Sequence, residues 1–353
     1  MNKIKLGVIF GGTSTEHDVS IVSGTSVIKN LNKEKYDITP IYIEKDGTWY
    51  KYTKPVEEIE VMPIGELLTE LTPIDNITTI LKSFDVIFPV LHGLGGEDGS
   101  IQGMFELLGV PYVGCGILAS SVGMDKAYTK LVFDKACIRQ AEYEYVKAIK
   151  GNYYYVDKEF NETPMDLEVI CGIIEMNIQY PMFVKPSNSG SSVGVSRVTN
   201  GEELKKAIEY AAKYDVKILI EEELKGREIE CAVLGNEEVI SSCVGEIKAA
   251  EEFYSYDAKY KNAASQTIMP ADISKELSNE VRELAIKAFK AIDGKGLARV
   301  DFFVNEQEKM VYINEINTMP GFTQISMYPK LFETVGVSYA ELLDRLITLA
   351  IDK

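Results

Sequence analysis

Two strand-like segments near the C-terminus, separated by a short polar stretch, constrain the fold more than any other feature of the sequence. Arg299–Val304 and Val311–Asn317 are rich in β-branched and aromatic residues, as strands are. The polar stretch Asn305–Lys309 is typical of a turn. We therefore predict an antiparallel hairpin that is symmetric about Glu308, in which alternate side chains of each strand share a face.

This register brings four functional side chains together. It pairs Asp301 with Glu315 and Arg299 with Asn317, and all four project from one side of the sheet. Two carboxylates and an amide oxygen are the hard ligands that Mg²⁺ prefers, usually completed by phosphates and water. A sheet face covered with ordinary salt bridges would give the same pattern, so the hairpin alone leaves both interpretations open.

Composition limits the class of protein. A chain of 353 residues is long for a single core and predicts two or three domains. Its net charge of −17 disfavours nucleic acid and anionic lipid as partners. The five cysteines are widely spaced without a Cys-x-x-Cys pair, which predicts a reduced, cytosolic protein without a zinc or disulfide framework. The apolar run Leu6–Phe10 is too short for a signal peptide, and no stretch has membrane-spanning length.

The first third of the chain alternates between strand and helix patterns, which predicts a parallel α/β sheet. Ligands in such sheets bind at the carboxyl ends of the strands. The glycine-containing loops Gly11–Ser14 and Gly93–Gly99 follow predicted strands and therefore lie at this edge. The two histidines, His17 and His92, occur in the same turns, where they are either functional or structural hydrogen-bonding groups.

Further segments have the composition of a nucleotide site. Small residues in Lys185–Gly194 let backbone N–H groups approach a phosphate, although a solvated hairpin turn is the alternative. It is neither a Walker A loop nor a dinucleotide-binding turn. Glu221–Leu224, followed by Glu228, ends a predicted strand and suits a base and ribose, or equally an acidic surface turn. The stretch 248–269 lacks periodicity and is a candidate lid.

Two groups near the hairpin suit a developing negative charge. Arg299 is either the ion-pair partner of the acids or a ligand of a carboxylate or oxyanion. Gly321 follows the second strand and lets its backbone N–H approach a ligand closely.

Taken together, these segments resemble the D-alanine–D-alanine ligases of the ATP-grasp superfamily. The matching motifs occur in family order from residue 4 to about residue 330. They are Gly11–Ser20, His92–Gly99, Lys185–Gly194, Phe253–Tyr260, Arg299–Phe302 and Asn314–Phe322.

The resemblance implies a multidomain α/β and α+β fold, in which an N-terminal parallel α/β sheet is followed by a two-domain ATP-grasp fold. The implied domains are residues 1–115 with the first-substrate site, a central domain at 116–220, and a C-terminal domain at 221–353. The last of these would carry the metal site and the lid at 248–269.

The resemblance also implies the reaction and its partners. ATP would activate one D-alanine as an acyl phosphate, and a second D-alanine would form D-alanyl-D-alanine for peptidoglycan precursor synthesis. The implied cofactors are ATP and two Mg²⁺ or Mn²⁺ ions. The implied protein is a cytoplasmic homodimer that acts on small molecules and binds neither nucleic acid nor membrane.

Site roles follow by matching residues to the family motifs. The implied nucleotide-binding residues are Lys126, Lys185, Ser192, Glu221, Leu224, Glu228 and Lys259. The implied metal ligands are Asp301, Glu315 and Asn317. Glu16 would bind the ammonium group of the first D-alanine near His92, and would form a lid-closing set with Ser191 and Tyr260. Arg299 and the Gly321 N–H would stabilise the oxyanion, and Ser326 and Met327 would contact the second D-alanine.

The identity of the second substrate depends on single positions. Family members that make D-alanyl–D-lactate have histidine where this chain has Tyr260, so the tyrosine favours an amine nucleophile. Met327 resembles the D-alanine form, but D-serine remains the alternative acceptor. A regulatory protein with a dead site is disfavoured by the intact Lys126 and Glu315, and a kinase that releases an acyl phosphate is disfavoured by Ser326.

Overall fold

The computed structural model describes residues 3–248 and 266–353. Three sheets follow one another along the chain, a mixed one and then two antiparallel ones. The strands are β1 (Ile4–Gly11), β2 (Tyr36–Ile43), β3 (Trp49–Tyr52), β4 (Leu71–Pro73), β5 (Val86–Val90), β6 (Tyr143–Ile149), β7 (Asn152–Val156), β8 (Glu162–Pro164), β9 (Met182–Pro186), β10 (Ser196–Val198), β11 (Lys217–Glu222), β12 (Arg227–Gly235), β13 (Val239–Lys248), β14 (Gln266–Ile268), β15 (Gly296–Asn305) and β16 (Met310–Asn317). The helices are α1 (His17–Asn30), α2 (Ile77–Leu81), α3 (Ser100–Leu108), α4 (Ile117–Met124), α5 (Lys126–Lys135), α6 (Leu167–Asn177), α7 (Gly201–Ala211), α8 (Lys275–Ala291), α9 (Met327–Thr334) and α10 (Tyr339–Ile351), with a 3₁₀ turn at Val56–Glu58.

The first sheet has the order β4-β3-β2-β1-β5, and β1 pairs in parallel with both β2 and β5. This confirms the predicted parallel sheet and brings the loops after β1 and β5 to one edge. Helix α1 packs closely on β1, since a Cβ at Gly24 would lie 2.5 Å from the Cβ of Phe10. Beyond β5, Tyr112 forms an isolated parallel β-bridge to Ile87.

The second sheet has the order β10-β9-β11-β6-β7-β8, and the third has the order β14-β13-β12-β15-β16. Helices α6 and α7 supply the apolar residues that cover the second sheet. Helix α8 does the same for the third sheet. This arrangement leaves β9, β11 and β16 around one cleft between the two sheets.

Two helices contact a sheet that is distant from them in the sequence. Phe133 of α5 shares a buried core with Phe302 of the third sheet, although the sequence prediction placed α5 in a central domain. Helix α10 returns to the first sheet, where the Tyr36 hydroxyl donates to Asp344 Oδ1 over 2.7 Å. The domain boundaries stay a prediction, because packing crosses them.

The predicted lid lies mostly outside the described residues, together with Lys259 and Tyr260. Its ends are strand residues, with β13 ending at Lys248 and β14 beginning at Gln266. Within 3–248 and 266–353, the helices are too short or too polar to cross a bilayer.

Candidate functional site

A cleft between the second and third sheets, called the central cleft below, collects many of the predicted residues. Helix α5, strands β9 and β11, and strand β16 form its walls. Its lining residues are Gly123, Lys126, Thr129, Lys130, Phe133, Lys185, Leu219, Glu221, Asn314, Glu315 and Ile316.

A buried carboxylate between two lysines forms one wall of the cleft. Glu221 Oε1 lies 2.6 Å from Lys130 Nζ, and its Oε2 lies 2.5 Å from Lys185 Nζ. Burial alone would raise the pKa of Glu221, but the two ammonium groups outweigh it and lower the pKa to about 2. The side chain is therefore an ionised counterion as well as part of the predicted base pocket.

Lys130 is a cleft residue that the sequence reasoning missed. It is 4% exposed and donates to the carbonyl of Ala141 over 3.4 Å. Its position four residues after Lys126 was the available signal, because residues i and i+4 share one face of a helix.

Lys126 connects the polar loop after β9 with the third sheet. It is the first residue of α5, and Asp125 is the N-cap. Its Nζ donates to the Ser189 carbonyl over 2.8 Å and lies 3.9 Å from Glu315 Oε2. Its backbone N–H also donates to the Ser187 carbonyl over 3.1 Å. The predicted phosphate loop is thus bound to the amino end of α5, where a helix favours anions.

The loop itself has an unusual backbone. Ser191 and Ser192 adopt positive φ values of 51° and 60°, which are uncommon for residues other than glycine. Ser187 Oγ donates to Asp125 Oδ1 over 2.5 Å, and the Asn188 N–H donates to Asp215 Oδ2 over 2.7 Å. A loop held in such a conformation by buried and half-buried carboxylates is more typical of a binding site than of a solvated turn.

The hairpin of β15 and β16 has the predicted register at the site. Arg299 is opposite Asn317, and Asp301 is opposite Glu315. A bulge follows, since Phe302 pairs with Ile313 and leaves Asn314 as the extra residue. The centre of the hairpin turn therefore lies half a residue before the predicted centre at Glu308. The bulge compensates for this shift, so that Asp301 and Arg299 still have their predicted partners.

Ion pairs fix Arg299 within this face. Its Nε and Nη2 donate to Asp301 Oδ1 and Oδ2 over 2.7 and 2.6 Å, and its Nε lies 3.1 Å from Glu230 Oε2. Burial opposes the charge of Arg299, yet Asp301 and Glu230 outweigh it and hold its pKa well above the usual value. Glu230, directly opposite Asp301 on β12, was not predicted as a site residue.

The donors of this face suit a hard divalent cation. Asn317 Nδ2 donates to Asp301 Oδ2 over 3.1 Å, so the three predicted ligands are neighbours. Each carboxylate oxygen has two lone pairs, so Asp301 can accept from Arg299 and still coordinate an ion. Within the described part of the chain, no group of three His, Cys, Asp or Glu side chains forms a metal cluster. A cation here would therefore need the amide of Asn317 and oxygens of a bound phosphate.

Glu16 lies where three predicted loops meet. It is the N-cap residue of α1, and its Oε1 accepts a hydrogen bond from Ser191 Oγ over 2.7 Å. A Cβ at Gly93 or Gly190 would lie 2.7 or 2.8 Å from Glu16 Oε2, so the Glu16 carboxylate lies close to the backbone of both glycines. The predicted contact of Glu16 with Ser191 is present, and Tyr260, the third member, lies outside the described residues.

The two histidines bind the backbone. His17 Nδ1 lies 2.5 Å from the Gly12 carbonyl, and Nε2 lies 3.2 Å from the Tyr42 hydroxyl, which supports a structural role. His92 Nδ1 lies 3.0 Å from the Met319 carbonyl, and Nε2 lies 3.0 Å from Ser23 Oγ. Burial lowers the pKa of His92, so the ring is neutral.

The segment after β16 carries the predicted second-substrate residues. Ser326 Oγ accepts from the Thr323 N–H over 3.0 Å, and a Cβ at Gly321 would lie 2.7 Å from this hydroxyl oxygen. Met327 is buried, with its terminal methyl against Gly245. Ser326 is therefore beside Gly321, whereas the end of the Met327 side chain packs in the core.

Two further predicted nucleotide-binding residues lie at or near the connection from the second sheet to the third. Leu224 is half-buried in the connection from β11 to β12. Glu228 lies on β12, opposite Phe303.

Comparisons with known proteins cover the whole chain. Residues 5–115 match the family described as D-ala D-ala ligase N-terminus, and residues 151–348 match D-ala D-ala ligase C-terminus. The D-alanine–D-alanine ligase of Acetivibrio thermocellus is 49% identical, with 100% of this chain and 97% of that protein covered.

Among solved structures, the VanG D-Ala:D-Ser ligase from Enterococcus faecalis has a TM-score of 0.84 and 37% identity, covering 99% of this chain and 100% of that one. The D-alanine–D-alanine ligase from Coxiella burnetii has a TM-score of 0.80 and 34% identity, covering 100% and 95%.

Proposed function

This chain belongs to the D-alanine–D-alanine ligase family, and we propose that it joins two D-alanine molecules in an ATP-dependent reaction. The hydrogen bond between Ser191 and Glu16 carries the structural part of the proposal. It brings an acid suited to the ammonium group of an amino acid against the loop suited to phosphate. A reaction between a D-alanine carboxylate and ATP requires these two sites to adjoin.

In the first half-reaction, the carboxylate of one D-alanine attacks the terminal phosphoryl group of ATP, and ADP leaves. Glu16 binds the ammonium group, and His92 lies beside it. Lys126, Lys185 and Ser192 hold the phosphates, and Lys259 is proposed to reach the transferred group. Glu221 and Leu224 contact the base, and Glu228 contacts the ribose.

The carboxylates of the β15–β16 face are proposed to bind two divalent cations. Asp301, Glu315 and Asn317 would hold Mg²⁺ or Mn²⁺. When bound, these ions neutralise phosphate charge during phosphoryl transfer. Lys126, 3.9 Å from Glu315 Oε2, supplies positive charge at the same place.

In the second half-reaction, the amine of another D-alanine attacks the acyl carbon, and phosphate leaves from the tetrahedral intermediate. Arg299 and the Gly321 N–H are proposed to stabilise the oxyanion. Ser326 is proposed to bind the carboxylate of the second D-alanine, and Met327, the first residue of α9, is proposed to contact the same molecule. Tyr260 and Ser191 would exclude water with the lid over 248–269. We also propose a cytoplasmic homodimer.

Incubation with Mg²⁺-ATP and equimolar D-alanine and D-serine tests the proposal, with mass analysis of the dipeptide and measurement of ADP. We expect D-alanyl-D-alanine as the main product. D-alanyl-D-serine as the main product would mean that D-serine replaces D-alanine as the second substrate, an alternative supported by the likeness to the VanG structure. Turnover with D-lactate alone, or no ATP-dependent product, would contradict the proposal.

A further inference from the structure

Met319, in the segment after β16, is bound through both its N–H and its carbonyl group by the loop that follows β5 of the first sheet. Glu97 Oε2 accepts a hydrogen bond from the Met319 N–H over 3.1 Å. His92 Nδ1 lies 3.0 Å from the Met319 carbonyl oxygen. Both polar groups of Met319 are therefore held by the loop that follows β5, although about 220 residues separate them.

A second anchor lies three residues further along. The Phe322 N–H donates to Ser23 Oγ of α1 over 3.2 Å, and this oxygen lies 3.0 Å from His92 Nε2. One set of protons satisfies all contacts. His92 Nδ1–H donates to Met319, and the Ser23 hydroxyl donates to His92 Nε2 while accepting from Phe322.

The loop is bound internally as well. Glu97 Oε1 accepts from the Gly93 N–H over 2.7 Å, so one carboxyl group connects the start of its own loop with Met319. Gly93 in turn adjoins Glu16, since a Cβ there would meet Glu16 Oε2 at 2.7 Å. A continuous path of contacts thus runs from Glu16 to the segment that contains Gly321.

We propose that Ser23 and Glu97 are positioning residues, which hold segment 319–322 in a fixed relation to the first-substrate loop. Gly321, whose N–H we assigned to the oxyanion, lies between the two anchored residues Met319 and Phe322. An error of about 1 Å in the position of such a donor is costly for the rate. The kinetic consequence rests on the proposed function, whereas the anchoring itself does not.

The charges around Glu97 are consistent with a structural carboxyl group. Burial, and then the negative charge of Glu16, raise the pKa of Glu97 to about 8, although Arg299 opposes this. His92, which binds the Met319 carbonyl, is neutral because burial lowers its pKa. A protonated carboxyl group retains lone pairs that accept hydrogen bonds, so the anchoring persists at neutral pH.

Hydrogen exchange tests the anchoring without requiring activity. The full-length protein and the variants Glu97→Gln, Glu97→Ala and Ser23→Ala are compared by mass spectrometry of peptides covering 318–323. We expect faster exchange of this segment in Glu97→Ala and Ser23→Ala, because the Met319 or Phe322 amide loses its acceptor, and an intermediate rate in Glu97→Gln, which keeps one acceptor oxygen. If segment 318–323 exchanged at the wild-type rate in both alanine variants, the proposal would be overturned.

Steady-state kinetics test the consequence. Loss of a well-placed hydrogen bond should lower kcat about tenfold in Glu97→Ala and Ser23→Ala. The KM for ATP should stay within about twofold, because Lys126 and Lys185 are untouched. Glu97→Gln keeps one acceptor oxygen and should recover part of kcat. Faster exchange with unchanged kcat would show that the contacts only stabilise the fold and would overturn the positioning role.

Matched variants separate these effects from general damage. Thr25→Val removes a fully buried hydroxyl from the same helix, one that accepts from the Met62 N–H over 3.1 Å. Glu106→Gln alters a carboxylate that accepts from the Tyr112 hydroxyl over 2.8 Å. Both should leave kcat and the exchange of 318–323 unchanged, and an equal response in them would refute the proposal. Absence of ligase activity in the wild-type protein would refute the proposed function. Hydrogen exchange of segment 318–323 in the variants would still test whether Ser23 and Glu97 anchor it.

Discussion

Two buried or half-buried glutamates lie at the site in opposite states. In the central cleft, Glu221 contacts two ammonium groups, and its pKa is lowered to about 2. At the junction of the first and third sheets, Glu97 accepts from two backbone N–H groups, and its pKa is raised to about 8. The same side chain is thus a full anion in one region and mostly a neutral group in the other.

The difference between the two pKa values shows which groups offset the cost of burying a carboxylate in each region. Backbone N–H groups stabilise a carboxylate less than a lysine does, so desolvation and the charge of Glu16 prevail at Glu97. The central cleft is organised by ion pairs, as suits a site for polyphosphate. The junction is organised by hydrogen bonds that need no net charge, as suits the placement of a backbone oxyanion donor.

The largest expected effect is on the charged side of this comparison. Glu315→Gln removes one negative charge from the proposed metal face, and we expect kcat to fall by about a thousandfold or more. Thermal unfolding should change little, because the side chain is partly exposed. ADP release measures the first quantity. Glu308→Gln in the exposed hairpin turn is the control, and full activity of Glu315→Gln would refute the metal-site assignment.

A stability measurement tests whether Glu221 is a counterion. Glu221→Gln leaves Lys130 and Lys185 without their shared partner, and we expect a loss of about 3 kcal/mol in the free energy of unfolding. Urea titration at pH 7 measures it. Glu222→Gln, which alters a side chain that accepts a backbone N–H from Glu142, should cost much less. An equal loss in the free energy of unfolding in the two variants would contradict the role of Glu221 as the counterion of Lys130 and Lys185.

A smaller effect is expected from crowding the junction. In Gly321→Ala, the new methyl group would lie 2.7 Å from Ser326 Oγ and displace the hydroxyl. The KM for the second D-alanine should rise about tenfold, through loss of about one hydrogen bond. Kinetics at varied D-alanine concentration measure this change. Gly172→Ala adds a methyl group where nothing lies within 4 Å and should leave KM unaltered.

The smallest effect is a difference in pH dependence. Below its unfolded pKa of about 4.5, Glu97 contributes its full stability, which is lost as the pH rises through about 8, because only the folded state holds the proton. Glu221 behaves oppositely, since its contribution is present above about 4.5 and lost as the pH falls towards 2. We would measure the free energy of unfolding of the wild-type protein and of Glu97→Gln at pH 5, 6.5 and 8. The value for the wild type minus that for the variant should decline as the pH rises. A constant difference would place the pKa of Glu97 outside this range.

Local patterns were sufficient for much of the site. The opposition of Asp301 to Glu315 follows from strand alternation and a short polar turn. The placement of the loops after β1 and β5 at one edge follows from parallel pairing. The exact turn was not predictable, because the bulge at Asn314 depends on the pairing partners of β16 and not on a local signal.

The sequence by itself determined the family, the order of its motifs and the residues able to carry charge or accept metal ions, since these depend on side-chain type and spacing. Only the tertiary structure decided which charges compensate one another. Lys130 and Lys185 reach Glu221 from different elements, and Glu97 reaches Met319 across more than 200 residues. The state of each carboxyl group depends on desolvation and on neighbours brought in by packing, which sequence spacing does not encode.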